Sequence, residues 1–476
     1  MKKLNELLDT TFNVDVTGIK INSKEIKPGD MFVCIKGIKA DRHDFIDDAI
    51  KNGASCIVGE KDMKCSVPYV KVANANQILP EICRKFYDFD KLNLKIIGVT
   101  GTDGKTTTTT CIQYLIGADK CGYIGTNGVI CEKFSKDCPN STPDPTLLYQ
   151  YFKEFADAGC EYVVMEASSE GFLRGRLEGL NFVAGGYTNI TWEHINVHGS
   201  FENYVECKLK LPKQTIGNFI INSDDEYCER FKVKNSKCLS YGKNKASNLW
   251  IKNYVFTSKF TKIDFSYLGK EYSFNSPLLG EFNVYNLACA FLICLSLGFD
   301  METLIQNTHA INVSGRLDMI DLGQKFQVMI DYAHTPNGIK SILNFVRTLK
   351  VNRAIVVIGS AGERDYVKRP IMGKTVVENA DYAIFTYEDP RSEDPRDIIE
   401  QMTSEISDTS KYEIVVDRSL AIKRAIDIAE DNDIVLVLGK GNETYEKLKD
   451  RVIYFNDIEE TKKWLTARLE RESVYE

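Results

Sequence analysis

Several things are scarce in this chain of 476 residues. No uninterrupted apolar run reaches the roughly 18 residues that a membrane-spanning helix needs. The longest comparable stretch, residues 287–297, reads as a buried helix. Positive charge is not in excess: 60 Lys and Arg stand against 67 Asp and Glu, a net charge of −7. That balance argues against nucleic acid as a main partner, because phosphate binding leaves a basic footprint. A local basic pocket for a small phosphate ligand stays open. The 14 cysteines form no Cys-x-x-Cys pair and no Cys/His cluster. Structural zinc and a disulfide framework are therefore not expected, and the thiols read as buried and reduced. Met1 to Glu6 leads into no apolar segment, so no signal peptide is expected and the location expected is the cytoplasm. There is no internal repeat and no low-complexity stretch.

What is present is alternation. Hydrophobic residues make up 43% of the chain, enough for several packed cores, and charged ones 27%, which is ordinary for a soluble protein. The length suggests about three domains. A short unit comes first. Met31-Phe32-Val33-Cys34-Ile35 follows the turn Lys27-Pro28-Gly29-Asp30, residues 45–52 look helical and 54–58 look like a strand. A polar segment at 88–93 reads as a linker. Residues 94–100 then form a buried-strand run that enters a Gly-rich loop and a helix from Lys105. Asp144 is the expected N-cap of a helix ending at Ala158, with Gly159 just beyond it. Residues 162–165 and 219–222 are further strands. A third alternation, near 328–331, 354–359, 382–386 and 434–439, has the rhythm of a doubly wound sheet. The expected boundaries are 1–90, 91–312 and 313–476. The central sheet is expected to be mostly parallel and the last domain Rossmann-like.

The strongest motif is Gly98-Val99-Thr100-Gly101-Thr102-Asp103-Gly104-Lys105-Thr106-Thr107. It lies between a strand and a helix, where a phosphate-binding loop must lie. Gly101 and Gly104 let the backbone curl so that its N–H groups face a phosphate. Lys105 can reach the terminal phosphates and Thr106 can bind Mg²⁺. Val99 stands where the strict pattern has glycine, so the loop is a variant. Glu166, at the end of the strand 162–165, is a second Mg²⁺ candidate.

This loop resembles the ATP loop of the Mur ligases, which usually carry Asn where this chain has Asp103. Folylpolyglutamate synthetases share the loop, so it does not choose between the two. The resemblance runs on, in order, through nearly the whole chain, and is nearest to the members that add the third amino acid. Thr188-Asn189-Ile190-Thr191-Trp192-Glu193-His194 resembles a segment whose His binds a second Mg²⁺, a role implied for His194. Glu193 replaces the usual Asp. Lys208 falls on the lysine that the family carbamylates, turning an ammonium into an anionic metal ligand. Thr102, Asp103, Thr107, Asn283, Asn286, Arg316, Asp331 and His334 are implied around ATP. Ser23 and His43 are implied in a uridine-binding first domain, and Ser141, Thr142, Ser168, Ser169 and Arg176 around the muramoyl-peptide part. Glu170 and Arg174 stand where family members usually have His and Gln. Arg364, Glu388, Asp389, Pro390, Arg391, Gly439 and Glu443 are implied around the incoming amino acid. Glu388-Asp389-Pro390-Arg391 resembles the Asp-Asn-Pro-Arg signature of diaminopimelate-adding enzymes, and Asn442 replaces a usual His.

The resemblance implies a monomeric, ATP- and Mg²⁺-dependent ligase. It would extend UDP-N-acetylmuramoyl-L-alanyl-D-glutamate with a diamino acid, diaminopimelate before lysine, through an acyl phosphate. A folate ligase, a non-catalytic nucleotide-sugar sensor and a simple ATPase are the alternatives. The first domain argues against the folate ligase. The retained Lys105, Glu166, His194 and Lys208 argue against the sensor.

Overall fold

The computed structural model describes residues 1–37, 40–233, 237–257 and 259–473. Three larger sheets organise them. The first has four parallel strands, Ile19–Lys20, Met31–Val33, Cys56–Gly59 and Tyr69–Lys71, paired in that order. The expected turn before Met31 is there: Gly29 has φ 93°, and Asp30 accepts from the Lys27 N–H at 3.0 Å. The segment expected to be a linker is instead an ordered 3₁₀ turn, Phe89–Lys91, because Phe89 packs edge-on against Tyr149. Helix Ala75–Phe86 lays Leu79, Ile82 and Cys83 into the same apolar core as Leu148 and Phe152, so the first and second sheets share one core.

The second sheet has eleven strands. Its middle is parallel and carries Cys121–Gly125, Tyr162–Glu166, Lys95–Thr100, Phe182–Tyr187 and Thr215–Asn222 side by side. Lys95–Thr100 is central and buried on both faces, which explains its near-continuous apolar reading. Helix Lys105–Ile116 packs against helix Glu281–Ser296, the buried helix expected near 287–297, which is apolar there except for Asn286, whose Oδ1 faces Thr108. One end of the sheet was not expected. Leu249–Phe256 joins it parallel to Lys237–Gly242, and Thr261–Tyr267 and Lys270–Ser276 then extend it antiparallel.

The third sheet has six strands, ordered Asp318–Met319, Gln327–Asp331, Ile434–Leu438, Ala354–Ile358, Tyr382–Phe385, Tyr412–Ile414. All but the first pair run parallel. Separate apolar cores cover its two faces, as a doubly wound sheet requires. One buried ion pair pins its last helix, Asp457–Ser473: Arg418 donates from Nε and Nη2 to Asp457 at 2.8 and 2.7 Å, and both side chains are fully buried. Removing one partner of such a pair leaves an uncompensated charge. Asp457→Ala is therefore expected to lose about 3–5 kcal/mol, read as an earlier urea transition of the C-terminal sheet.

Candidate functional site

In both larger sheets the candidate residues leave the carboxyl ends of neighbouring parallel strands. The phosphate loop follows Lys95–Thr100, Glu166 ends the strand on one side, and residues 188–194 follow Phe182–Tyr187 on the other. The loop has no room to spare. Gly101 has φ 149°, and a Cβ there would lie 1.8 Å from Thr188 Oγ1. Gly104 has φ 83°, and its Cβ would lie 2.2 Å from Asn286 Oδ1. Asn189 holds the loop from below: its Oδ1 accepts the Asp103 N–H at 3.0 Å and its Nδ2 donates to Asp103 O at 3.1 Å.

Two lysines converge on one oxygen. Lys105 Nζ donates to Gly101 O at 3.0 Å, and Lys208 Nζ donates to the same oxygen at 2.6 Å. Lys208 is only 1% exposed and ends helix Phe201–Lys208. Burial, and then the neighbouring Lys105 charge, push the Lys208 amine well below its usual range. Burial also lowers Lys105. His194 sits in the left-handed region at φ 58° and is held down to about 3 by burial and then by Lys208, Lys105 and Lys368, so it is a neutral imidazole. Glu193 is buried and bridges to the C-terminal sheet through Lys368 Nζ at 3.1 Å.

Thr106 Oγ1 donates to Glu166 Oε1 at 2.9 Å, which brings the two expected metal ligands together. Glu166 Oε1 also accepts from the Tyr123 hydroxyl and the Thr126 N–H. Among the described residues no three His, Cys, Asp or Glu side chains form a metal cage. The donors present fit Mg²⁺, which keeps waters and phosphate oxygens alongside one or two protein ligands. Asp103 Oδ2, buried without a partner, is a further acceptor beside them.

Between the second and third sheets lies a cavity of about 420 Å³. Asp103, Gly104, Thr107 and Asn286 line one side, Arg316 and Asp331 the other. Arg316 stacks on Tyr332, with Cζ 4.5 Å from the ring centroid, and Nη2 reaches Thr106 Oγ1 at 3.4 Å. Asp331 accepts from the N–H groups of Leu317 and Ala333 at 2.8 and 2.7 Å. Burial lifts it to about 6 against the pull of Arg316. Asn283 does not line this cavity; its amide is spent on Leu279 O and on Asn286. Nor does His334 line it: Nδ1 donates to Tyr332 O at 2.9 Å, and burial keeps the ring neutral. Thr188, Asn189, Asn222 and Tyr285 line it without having been singled out. The first two stood in the quoted 188–194 segment, and the others carried no spacing signal.

The muramoyl-side candidates also cluster. Thr142 Oγ1 donates to Glu166 O and lies 2.8 Å from Ser168 Oγ, Arg176 donates to Thr142 O at 2.8 Å, and Ser169 Oγ meets His198 Nε2 at 3.1 Å. Ser141 is half-buried beside them. Glu170 and Arg174 pair with each other at 2.7 Å along one helix face. In the first sheet His43 is committed to the fold. Nδ1 donates to Asp41 at 2.5 Å and Nε2 accepts the Glu60 N–H at 2.9 Å, so the ring has no nitrogen free for uridine. Ser23 is buried, and its carbonyl accepts from Asn52.

Three loops meet around the amino-acid candidates. The Gly362 N–H donates to Asp389 O at 3.0 Å, which docks the Arg364 loop on residues 388–391. Asp389 and Arg391 both have positive φ, 37° and 53°, a strain that persists only where the surroundings enforce it. A Cβ on Gly439 would lie 2.2 Å from Glu388 Oε2. Lys440, fully buried, donates to Asp389 at 2.9 Å and Glu443 at 3.1 Å. Arg391 Nε is buried without a partner. Pro390 is buried, and Arg364 is exposed at the rim.

Comparison with known proteins agrees with this geometry. Three family models match: Mur ligase family, catalytic domain, at residues 15–88; Mur ligase middle domain at 99–294; and Mur ligase, glutamate ligase domain, at 315–441. The chain belongs to the Mur ligase family. It is an ATP-dependent ligase that forms amide bonds. A UDP-N-acetylmuramoyl-L-alanyl-D-glutamate--2,6-diaminopimelate ligase of Geobacillus thermodenitrificans is 36% identical over 94% of both chains. One of the same name from Fusobacterium nucleatum is 36% identical over 98% of both. A solved ligase of that name is 26% identical, with a TM-score of 0.69, over 98% of this chain and 99% of its own. MurF from Thermotoga maritima, solved with ADP, shares the fold at 19% identity and a TM-score of 0.70, over 96% of this chain and 98% of its own. Among the described residues of this Mur ligase no helix is long and apolar enough to cross a membrane.

The tight loop makes a prediction. Gly101→Ala forces both a steric clash and an unfavourable φ, so ADP affinity by calorimetry is expected to fall about tenfold or more, with the fold retained by circular dichroism.

Proposed function

We propose that this ligase joins a diamino acid, meso-diaminopimelate in the first place, to UDP-N-acetylmuramoyl-L-alanyl-D-glutamate. The observation that carries the reading is the full-length likeness to relatives of that name, together with an unpartnered, buried Arg391 Nε on the loop that Lys440 ties to Glu443. The substrate carboxylate attacks the γ-phosphate of ATP and gives an acyl phosphate plus ADP. The amine of the incoming amino acid then displaces phosphate. The protein contributes positioning and charge neutralisation.

In this reading Lys105 and Arg316 hold the phosphates of ATP, and Asn286 and Asp331 frame the rest of the nucleotide. Thr106 and Glu166 take Mg²⁺, which when bound neutralises charge on the phosphoryl oxygens. His194 and Lys208, as a carbamate, serve a second ion. Lys208 is buried against Lys105, so carbamylation would replace a repelling cation with an anion. Thr142, Ser168, Ser169 and Arg176 position the precursor's reacting end, and Ser23 lies on the side assigned to uridine. Domains at 1–90, 91–312 and 313–476 carry these three tasks. The enzyme works as a cytoplasmic monomer with small-molecule substrates and no nucleic acid.

Two measurements follow. Phosphate release is measured with ATP, Mg²⁺ and the UDP-muramoyl-dipeptide, adding meso-diaminopimelate or L-lysine in parallel. Release that depends on diaminopimelate is expected; release with lysine alone keeps the ligation and overturns the choice of amino acid, and silence with both overturns the reading. Protein equilibrated with ¹³C-bicarbonate is expected to show a carbamate resonance that Lys208→Ala lacks. A spectrum identical in the two proteins would remove Lys208 from the scheme.

A further inference from the structure

Helix Pro336–Arg347 runs along the cavity between the second and third sheets and marks its two ends. It begins at the phosphate loop, where Thr335 Oγ1 donates to Asp103 Oδ1 at 3.4 Å. It ends at the extension of the second sheet, where Phe345 packs edge-on against Phe256 with ring centroids 5.3 Å apart. The helix rises about 15 Å between Thr335 and Phe345, a distance that an extended nucleoside triphosphate spans. Facing the helix, the cavity crosses five neighbouring strands at their carboxyl ends, lined in turn by Gly104, Thr188, Asp224, Tyr241 and Phe256. A triphosphate seated on the loop therefore leaves its base at the far end, among the apolar side chains of Phe256, Phe282 and Phe345.

Three carboxylates line that far end, and two of them are committed. Asp225 accepts from the Tyr187 hydroxyl and from the N–H groups of Tyr227 and Ile190. Glu281, half-exposed, is paired with Lys243. Asp224 is held in place and yet open. Its Oδ2 accepts the Tyr285 hydroxyl at 2.7 Å and the Lys243 N–H at 2.6 Å, which fixes how the carboxylate points. Burial first, and then Asp224, raise the Tyr285 hydroxyl well above its usual range, so it stays protonated and donates. Oδ1 is met by Ser223 Oγ at 3.4 Å, but that hydroxyl makes shorter contacts with Tyr241 O at 3.0 Å and Ser247 Oγ at 2.8 Å. One oriented carboxylate oxygen is thus left for a donor in the cavity. Asn283, expected on the adenine side, is spent on Leu279 O and Asn286 and leaves that part to another residue.

We infer that Asp224 is a specificity residue for the nucleotide, and that its Oδ1 accepts a hydrogen bond from the exocyclic amino group of the base. The inference rests on the placement of ATP in this cavity and adds one requirement, an amino group on the edge of the base that faces Asp224. A base with a C–H there leaves the oxygen unmatched, and one with a carbonyl there sets two acceptors against each other. Tyr285 is a positioning residue in this arrangement, because its hydroxyl holds the opposite oxygen of the same carboxylate.

The test is calorimetric titration of the whole protein with ADP and with purine riboside 5′-diphosphate, which is ADP without its 6-amino group. Wild type is expected to bind ADP about 10- to 100-fold more tightly, the value of one hydrogen bond to a charged group. Asp224→Ala is expected to lose that factor for ADP and to keep its affinity for the analogue. Asp224→Asn is expected to behave in the same way, because Tyr285 and the Lys243 N–H would claim the amide oxygen and turn its NH2 toward the base. Tyr285→Phe frees the carboxylate without removing it and is expected to lose only part of the preference. A damaged fold would lower both affinities together, whereas the inference requires their ratio to move. Equal binding of the two nucleotides by wild type overturns the inference, as does a preference that survives Asp224→Asn, or one that disappears in Asn344→Ala, across the cavity, instead. Wild type that binds neither nucleotide overturns it together with the placement of ATP in this cavity. The titration needs no precursor, so an error in the proposed precursor or amino acid leaves its result unaffected.

Discussion

Two buried lysines share one carbonyl oxygen, and the catalytic centre is arranged around the strain of that crowding. Lys105 begins one helix and Lys208 ends another, yet both point at Gly101 O. Neither charge can be tolerated without an anion close by. The surrounding chemistry follows from that demand. His194 stays neutral first because it is buried, and then because Lys208, Lys105 and Lys368 lie close. Glu166 and Glu193 flank the group, one spent on Thr106 and the other on Lys368. Two lysines directed at one oxygen suit a triphosphate and a transferred phosphoryl group.

Topology delivers these groups. Parallel strands in register place their loops along one edge, so residues far apart in sequence become neighbours without a dedicated scaffold. The C-terminal sheet repeats the device, and the two edges face each other across the cavity. Four polar contacts join them, Arg316 to Thr106, Thr335 to Asp103, Lys368 to Glu193 and Asn442 to Asn127, and Phe256 packs edge-on against Phe345. Polar contacts of this kind exchange readily for ligand contacts.

Much of this was legible in the sequence. The phosphate loop could be read because Gly101, Gly104 and Lys105 are each required by geometry at one position. The buried strands could be read because two covered faces erase alternation. The antiparallel extension at 249–276 could not, since its strands are short of apolar runs and resemble surface loops. Spacing cannot tell that both ring nitrogens of His43 are engaged by Asp41 and Glu60, nor that the Asn283 amide props Asn286.

The Glu170–Arg174 pair sits at the surface of a short helix, its side chains 39% and 27% exposed and joined at 2.7 Å. Water reaches both groups, so the pair is worth about 0–1 kcal/mol and fades as salt rises. Either charge can therefore stand without the other at little cost to the fold.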